Sequence, residues 1–97
     1  MRLIVAVNSS VTNVAAKNAL TAFLEAKGWS VWHWYDDLWL LDNVPNTLSL
    51  SELREEIRNT IPTISQVLIF STEGLINHSG TVPQGSLTWF TEHWGRR

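Results

Sequence analysis

Residues 28–41 have the sequence GWSVWHWYDDLWLL, and this stretch decides the fold. Asp36 and Asp37 favour a turn, because aspartate tolerates turn geometry and bonds its own backbone. A connection this short between two apolar segments predicts an antiparallel hairpin, whose second strand is residues 38–41. Alternation along the first strand predicts two faces, one with Val31, His33 and Tyr35 and the other with Trp32 and Trp34.

The segment before the hairpin predicts a strand and then a helix. Leu3–Val7 is a continuous apolar run rich in branched residues, typical of a central strand covered on both faces. Ser10 or Thr12 is the expected helix N-cap, and Gly28 occupies the position of a left-handed C-terminal cap. From about residue 11 to residue 27, apolar side chains recur at helical spacing, at Ala16, Ala19, Leu20, Phe23 and Leu24.

The segment after the hairpin predicts a second helix and a fourth strand. Ser49 and Glu52 match a capping box at the helix start, and Pro62 marks its end. Val67–Phe70 is another short apolar strand. The element order is therefore β-α-β-β-α-β, which predicts a ferredoxin-like α+β fold with a four-stranded antiparallel sheet backed by two helices. The buried stripe of the second helix is expected at Leu50, Leu53, Ile57 and Ile61.

Residues 1–97 are expected to form a single domain, since a chain of this length builds one core. The core is predicted at 1–72, and the polar, glycine-containing residues 73–82 are predicted as a loop, with Leu75-Ile76 as an alternative short edge strand. An added C-terminal helix is predicted from about 83 to 94, with Leu87, Phe90 and Trp94 on one face.

The composition limits the classes of partner. Charged residues make up only 16% of the chain and apolar residues 44%, which favours self-association. The net charge of −2, with basic residues scattered along the chain, gives weak support for nucleic-acid binding. There is no cysteine, which excludes disulfides and thiolate chemistry. No apolar run is long enough to span a membrane, so a cytoplasmic location is expected.

Aspartates and histidines are the candidates for catalysis that the residue types themselves suggest. Asp36, Asp37 and Asp42 lie in or near the hairpin, where turn chemistry explains them more simply than a metal site shared by two subunits. His33 would be a general base if it lined a cleft. His78 lies in a predicted loop beside Ser79 and Thr81, although neighbours in sequence do not define a catalytic triad.

Tryptophan is the most unusual component, with six in 97 residues. Exposed rings on a sheet can stack on single-stranded RNA bases, but RNA-recognition domains carry aromatics on their central strands, and Leu3–Val7 has none. Packing of the terminal helix and a dimer interface explain the rings better, because the large indole is buried while its N–H finds a partner. The predicted interface residues are Trp32, Trp34, Trp39 and Trp89.

The aromatic and apolar pattern resembles that of a known family. Gly28-Trp29, Trp32-His33-Trp34 and Leu38–Leu41 are similar to the small stand-alone proteins termed SinR-like, which are related to the small CRISPR-associated ferredoxin-like nuclease that accompanies the spacer integrase. The second helix, the strand Val67–Phe70 and the closing tryptophans continue the resemblance over nearly the whole chain. The resemblance implies a ferredoxin-like subunit that forms a homodimer.

The resemblance also identifies the position at which a nuclease would hold its metal. In the nuclease branch, an aspartate at the end of the first strand helps to bind a divalent cation between subunits. The matching position here is Asn8, followed by Ser9 and Ser10. An amide oxygen brings no charge, whereas Mg²⁺ and Mn²⁺ are bound chiefly by carboxylates. Asn8 therefore argues against metal-dependent hydrolysis.

Two functions from different classes remain open. The first is a non-enzymatic homodimeric module that needs no cofactor and works by binding a partner protein or a small ligand. It is favoured by the aromatic content, the low charge and Asn8. The second is an endonuclease that uses Mg²⁺ or Mn²⁺ to cleave RNA or DNA, implied by the resemblance alone. Single-strand binding without cleavage ranks below both.

Overall fold

The computed structural model describes residues 1–72 and 86–94. The strands of this part are β1 (Arg2–Val7), β2 (Ser30–Tyr35), β3 (Leu38–Asp42) and β4 (Val67–Thr72). The helices are α1 (Val14–Ala26), α2 (Leu50–Thr60) and the short α3 (Ser86–Trp89), which continues as a π-helical turn over Phe90–Trp94. The predicted loop at 73–82, with Leu75-Ile76 and His78, lies outside the described residues, as does the side chain of Leu87.

The predicted α+β architecture is confirmed. The four strands form one antiparallel sheet in the order β2-β3-β1-β4, so the apolar β1 is a central strand. Two helices pack on one face of this sheet through a cluster that combines odd-numbered residues of β1 with the apolar stripes of α1 and α2. We call this cluster the helix-side core; its fully buried members include Leu3, Val5, Leu20, Leu24, Trp39, Leu41, Leu53 and Ile57.

The helix ends are set by capping side chains. Asn13, and neither Ser10 nor Thr12, is the N-cap of α1, since its Oδ1 accepts the backbone N–H of Ala16 at 2.8 Å. The predicted capping box at α2 is confirmed in part, because Ser49 Oγ accepts the N–H of Glu52 at 3.3 Å. Gly28 has φ +82°, the left-handed conformation expected after α1.

Two predicted side-chain positions are wrong. Ala19 is exposed and does not belong to the buried stripe of α1. Tyr35 does not share a face with Val31 and His33, because a register shift separates the pair Trp32–Leu40 from the pair Tyr35–Leu38. Three residues of β2 therefore span two residues of β3, and this extra residue places Tyr35 on the same face as Trp32.

Candidate interaction surface

The sheet face that points away from α1 and α2, here called the outer face, is built from two cross-strand rows of apolar residues. The paired registers of the four strands define both rows. Side chains directly opposite in neighbouring strands lie on the same face and contact one another. One row is Trp32, Leu40, Ile4 and Phe70, and the other is Tyr35, Leu38, Ala6 and Leu68.

The C-terminal segment, residues 86–94, packs over part of this outer face. Trp94 is buried in a cluster with Trp32 and Leu40. Phe90 packs edge-on against Trp32, with ring centroids 5.1 Å apart. Trp89 also belongs to this cluster, so the prediction that the terminal helix packs on the sheet through aromatic residues is confirmed. The covered half of the outer face is the half nearest β2 and β3.

A polar contact fixes the end of this segment at the opposite end of the sheet from the hairpin turn. Arg2 is almost fully buried; its Nε donates to the carbonyl oxygen of His93 at 2.8 Å, and its guanidinium lies 5.8 Å from the Trp94 ring centroid. His93 Nδ1 lies 3.1 Å from Asp42 Oδ2. Asp42 is thus engaged in docking the C-terminal segment. Sequence reasoning missed the contacts of Arg2 and Asp42 with His93, because the basic residues are scattered along the chain and the histidines are far apart in it.

The β4 half of the outer face is the exposed half. Leu68 is 63% exposed and Phe70 is 50% exposed, and together we call them the outer strip. β4 also forms one margin of the described sheet, so one side of its backbone has no neighbouring strand among residues 1–72 and 86–94. Residues 67–72 (VLIFST) contain neither a charged residue nor proline, the features that commonly protect edge strands. An apolar strand with an open edge is suited to association.

The predicted interface tryptophans lie in different environments. Trp39 is fully buried in the helix-side core, where its Nε1 donates to Thr21 Oγ1 at 2.9 Å. Trp32 is buried beneath the C-terminal segment, and Trp89 is a half-buried member of that segment that packs against the same cluster. Trp34 lies in the irregular part of β2 and is 63% exposed. Only Trp34 and Trp89 of these four can contact a partner without rearrangement.

Asn8 organises the loop that follows β1. Its Oδ1 accepts from the backbone N–H and the hydroxyl of Ser10, at 3.0 and 2.6 Å. Its Nδ2 donates to Gln66 Oε1 at 2.8 Å, across the sheet at the start of β4. A shallow cleft of about 450 Å³ adjoins this contact, and none of its lining residues has an ionisable side chain. The amide therefore has a structural role that uses both its donor and its acceptor.

Within the part of the chain that the structure describes, the three candidate aspartates do not converge on one site. Asp36 and Asp37 form the exposed hairpin turn, and the Asp37 carbonyl oxygen accepts the Val7 N–H at 3.0 Å, so this turn and Asn8 share one end of the sheet. Asp42 is at the other end of β3, about 14 Å along the strand from Leu38, the residue that follows the turn. Within the described ranges 1–72 and 86–94, no group of three or more His, Cys, Asp or Glu is arranged to hold a metal ion.

His33 is engaged in packing. Its ring stacks on Trp39 with centroids 4.0 Å apart and planes inclined by 2°. Its Nδ1 lies 3.0 Å from the Leu38 carbonyl oxygen, which can only accept, so Nδ1 carries the proton and donates. The ring thus connects β2 to β3 beside the core.

The exposed residues of β4 were missed by sequence reasoning, because every residue of Val67–Phe70 is apolar and periodicity cannot separate the covered side chains from the exposed ones.

The described residues contain no helix long and apolar enough to cross a membrane. No protein-family model, curated protein or solved structure matches the chain.

Proposed function

We propose that this chain is a non-enzymatic interaction module that works as a homodimer, with the outer strip as its contact surface. The observation that carries the proposal is the exposure of Leu68 and Phe70 on an uncharged strand at the margin of the sheet. Burial of apolar area is the main favourable contribution to most protein association. The homodimer implied by the resemblance to the SinR-like proteins agrees with this proposal.

The charge distribution also supports a second copy as the partner. At a two-fold interface each surface meets itself, so charges near the axis meet like charges. β4 carries none, and its exposed side chains Leu68 and Phe70 are hydrocarbon. The charged surface of α2, by contrast, already pairs internally through Arg58 and Glu55 and through the bridge from Glu56 to Lys27.

Sedimentation velocity over a wide range of protein concentration tests the proposal. The wild type is expected to show a sedimentation coefficient that rises with concentration. Phe70→Lys should remain monomeric, because an ammonium group at the contact loses its water without gaining a partner. Val14→Lys is the matched control, since Val14 is 70% exposed but belongs to α1, and it should associate like the wild type.

Two results would contradict the proposal. One is a wild type that stays monomeric at every concentration. The other is equal weakening by the Phe70 and Val14 substitutions, because this would show a general effect of added positive charge. Circular dichroism spectra of all three proteins must coincide for the comparison to be made.

A further inference from the structure

The hydrogen-bonding phase of β4 determines which of its residues can bond to another strand. In an antiparallel pair, alternate residues direct both N–H and C=O towards the same neighbour. The Asn8 N–H donates to the Gln66 carbonyl oxygen at 3.3 Å, so the backbone N–H and C=O of Gln66 point towards β1. The backbone groups of Leu68 and Phe70, which have the same phase, do so too. On the other side of β1, the Val7 N–H donates to Asp37 of the hairpin turn, as this phase requires.

The residues of opposite phase therefore face the edge of β4 that has no neighbouring strand among residues 1–72 and 86–94. Val67, Ile69 and Ser71 direct their N–H and C=O groups away from β1. The pairing of β1 with β4 continues without a shift from Val7↔Val67 to Arg2↔Thr72, so no bulge interrupts this row. A second antiparallel strand can bond along this whole edge.

We propose that two copies of the chain join their β4 strands edge to edge about a two-fold axis at Ile69, which forms one continuous eight-stranded sheet. This inference rests on the proposed homodimer and adds its geometry. Antiparallel self-pairing brings residues of equal phase opposite one another. With the axis at Ile69, the hydrogen-bonded pairs are Ile69 with its own copy and Val67 with the partner's Ser71.

This register is the one that covers the outer strip. Leu68 of each copy lies opposite the partner's Phe70, on the same face and in the closer, non-hydrogen-bonded type of pair, where Cα atoms are about 4.5 Å apart. Aromatic and aliphatic side chains opposite one another are a favourable cross-strand pair. An axis at Val67 or Ser71 would leave part of the strand unpaired.

The size of this contact predicts a weak dimer. Half of the Phe70 surface is exposed, which is roughly 100 Å². A single strand pair with two such side chains per copy covers less than the roughly 800 Å² per partner of a standard stable interface. The association should therefore depend strongly on concentration, and a covalent trap is the appropriate assay.

Disulfide trapping tests the register directly, because the native chain has no cysteine. Leu68→Cys and Phe70→Cys variants, one of them carrying a size tag, are mixed and oxidised. The proposed register places the thiol introduced by Leu68→Cys in one copy opposite the thiol introduced by Phe70→Cys in the other, within disulfide range. In two copies of the same variant, the substituted positions are about 8 Å apart at Cα, which is beyond that range. The mixed disulfide should exceed either symmetric one several-fold.

Val14→Cys provides the background of random collision, since Val14 is exposed on α1. Ser71→Pro provides a second variant: the Ser71 N–H faces the open edge, so its loss should lower the trapping yield several-fold without unfolding the protein. An unchanged yield in Ser71→Pro would overturn the inference. So would symmetric disulfides that equal or exceed the mixed one, because they indicate another register.

The experiment separates this inference from the proposed function. If the wild type sediments as a dimer but trapping stays at the level of the Val14→Cys background, the edge geometry is wrong and the homodimer stands. If the wild type is a monomer and nothing is trapped, both are wrong, as when the edge of β4 is covered by another part of the same chain.

Discussion

Removal of the Trp39 side chain should cost more stability than any other single change on the hairpin. The indole is fully buried, stacks on His33, and donates from Nε1 to Thr21 Oγ1 at 2.9 Å. A fully buried tryptophan removes roughly 200 Å² from water. At about 25 cal/mol per Å², that area corresponds to about 5 kcal/mol. We therefore expect Trp39→Ala to lower the free energy of unfolding by about 3–5 kcal/mol, the range observed for such truncations.

The hydrogen bond to Thr21 can be separated from the packing of the ring. Trp39→Phe keeps an aromatic ring but loses the bond and some volume, so about 2 kcal/mol is expected. Thr21→Val keeps the shape of the threonine but leaves the buried indole N–H without its acceptor, which costs about 1–3 kcal/mol. In the double variant Trp39→Phe/Thr21→Val, the Thr21 substitution should lower the free energy of unfolding by about 1 kcal/mol less than it does in the wild type, because the indole N–H is no longer present.

Urea unfolding followed by far-UV circular dichroism measures all four proteins, at a concentration where they are monomeric. A change below about half a kcal/mol for Trp39→Ala would refute the assignment of this ring to the core, since surface substitutions stay within that range. Additive effects of the Trp39 and Thr21 substitutions would refute the hydrogen bond but leave the burial intact.

Two further predictions concern the turn after α1 and the end of β1. Gly28→Ala should destabilise the protein by about 1–2 kcal/mol in the same urea assay, and Gly28→Asn by less. The backbone φ is +82°, and no atom beyond the two chain neighbours lies within 4 Å of an added Cβ, so the cost is conformational. Asn8→Asp should not create nuclease activity with Mg²⁺ or Mn²⁺ on short single- or double-stranded RNA and DNA. The opposite result would be hydrolysis by the wild type that is abolished by chelation and by Asp36→Ala or Asp37→Ala. It would show that the protein is a metal-dependent enzyme and not an interaction module.

The elements of the fold could be predicted because local signals agreed with one another. The apolar run of β1, the stripe and glycine cap of α1, and the capping box at Ser49 each specified one structure. The predicted N-cap of α1 was wrong because four polar residues that can cap a helix lie close together: Ser9, Ser10, Thr12 and Asn13. Propensity does not choose among such neighbours. The choice of Asn13 leaves Thr12 buried instead.

The candidate surface was harder to predict, because it depends on contacts between distant segments. That Leu40 is buried follows from Trp94 packing over it, and that Phe70 is exposed follows from the C-terminal segment covering the other half of the face. Both residues lie in uninterrupted apolar strands, so the sequence pattern treats them alike. The Arg2 contact with the carbonyl of His93 joins residues 91 positions apart and leaves no periodic signal.

The two margins of the described sheet differ in a way that bears on how many copies can associate. β2 is irregular between Trp32 and Tyr35, and an extra residue of this kind twists an edge strand and interrupts its row of hydrogen-bonding groups. β4 is regular along its whole length. A subunit with two regular edges could add further copies at both sides and grow into a filament. In the proposed assembly, strand pairing would use the one regular edge of each copy and then stop. The register shift that moves Tyr35 to the outer face would then favour a closed dimer over an open assembly.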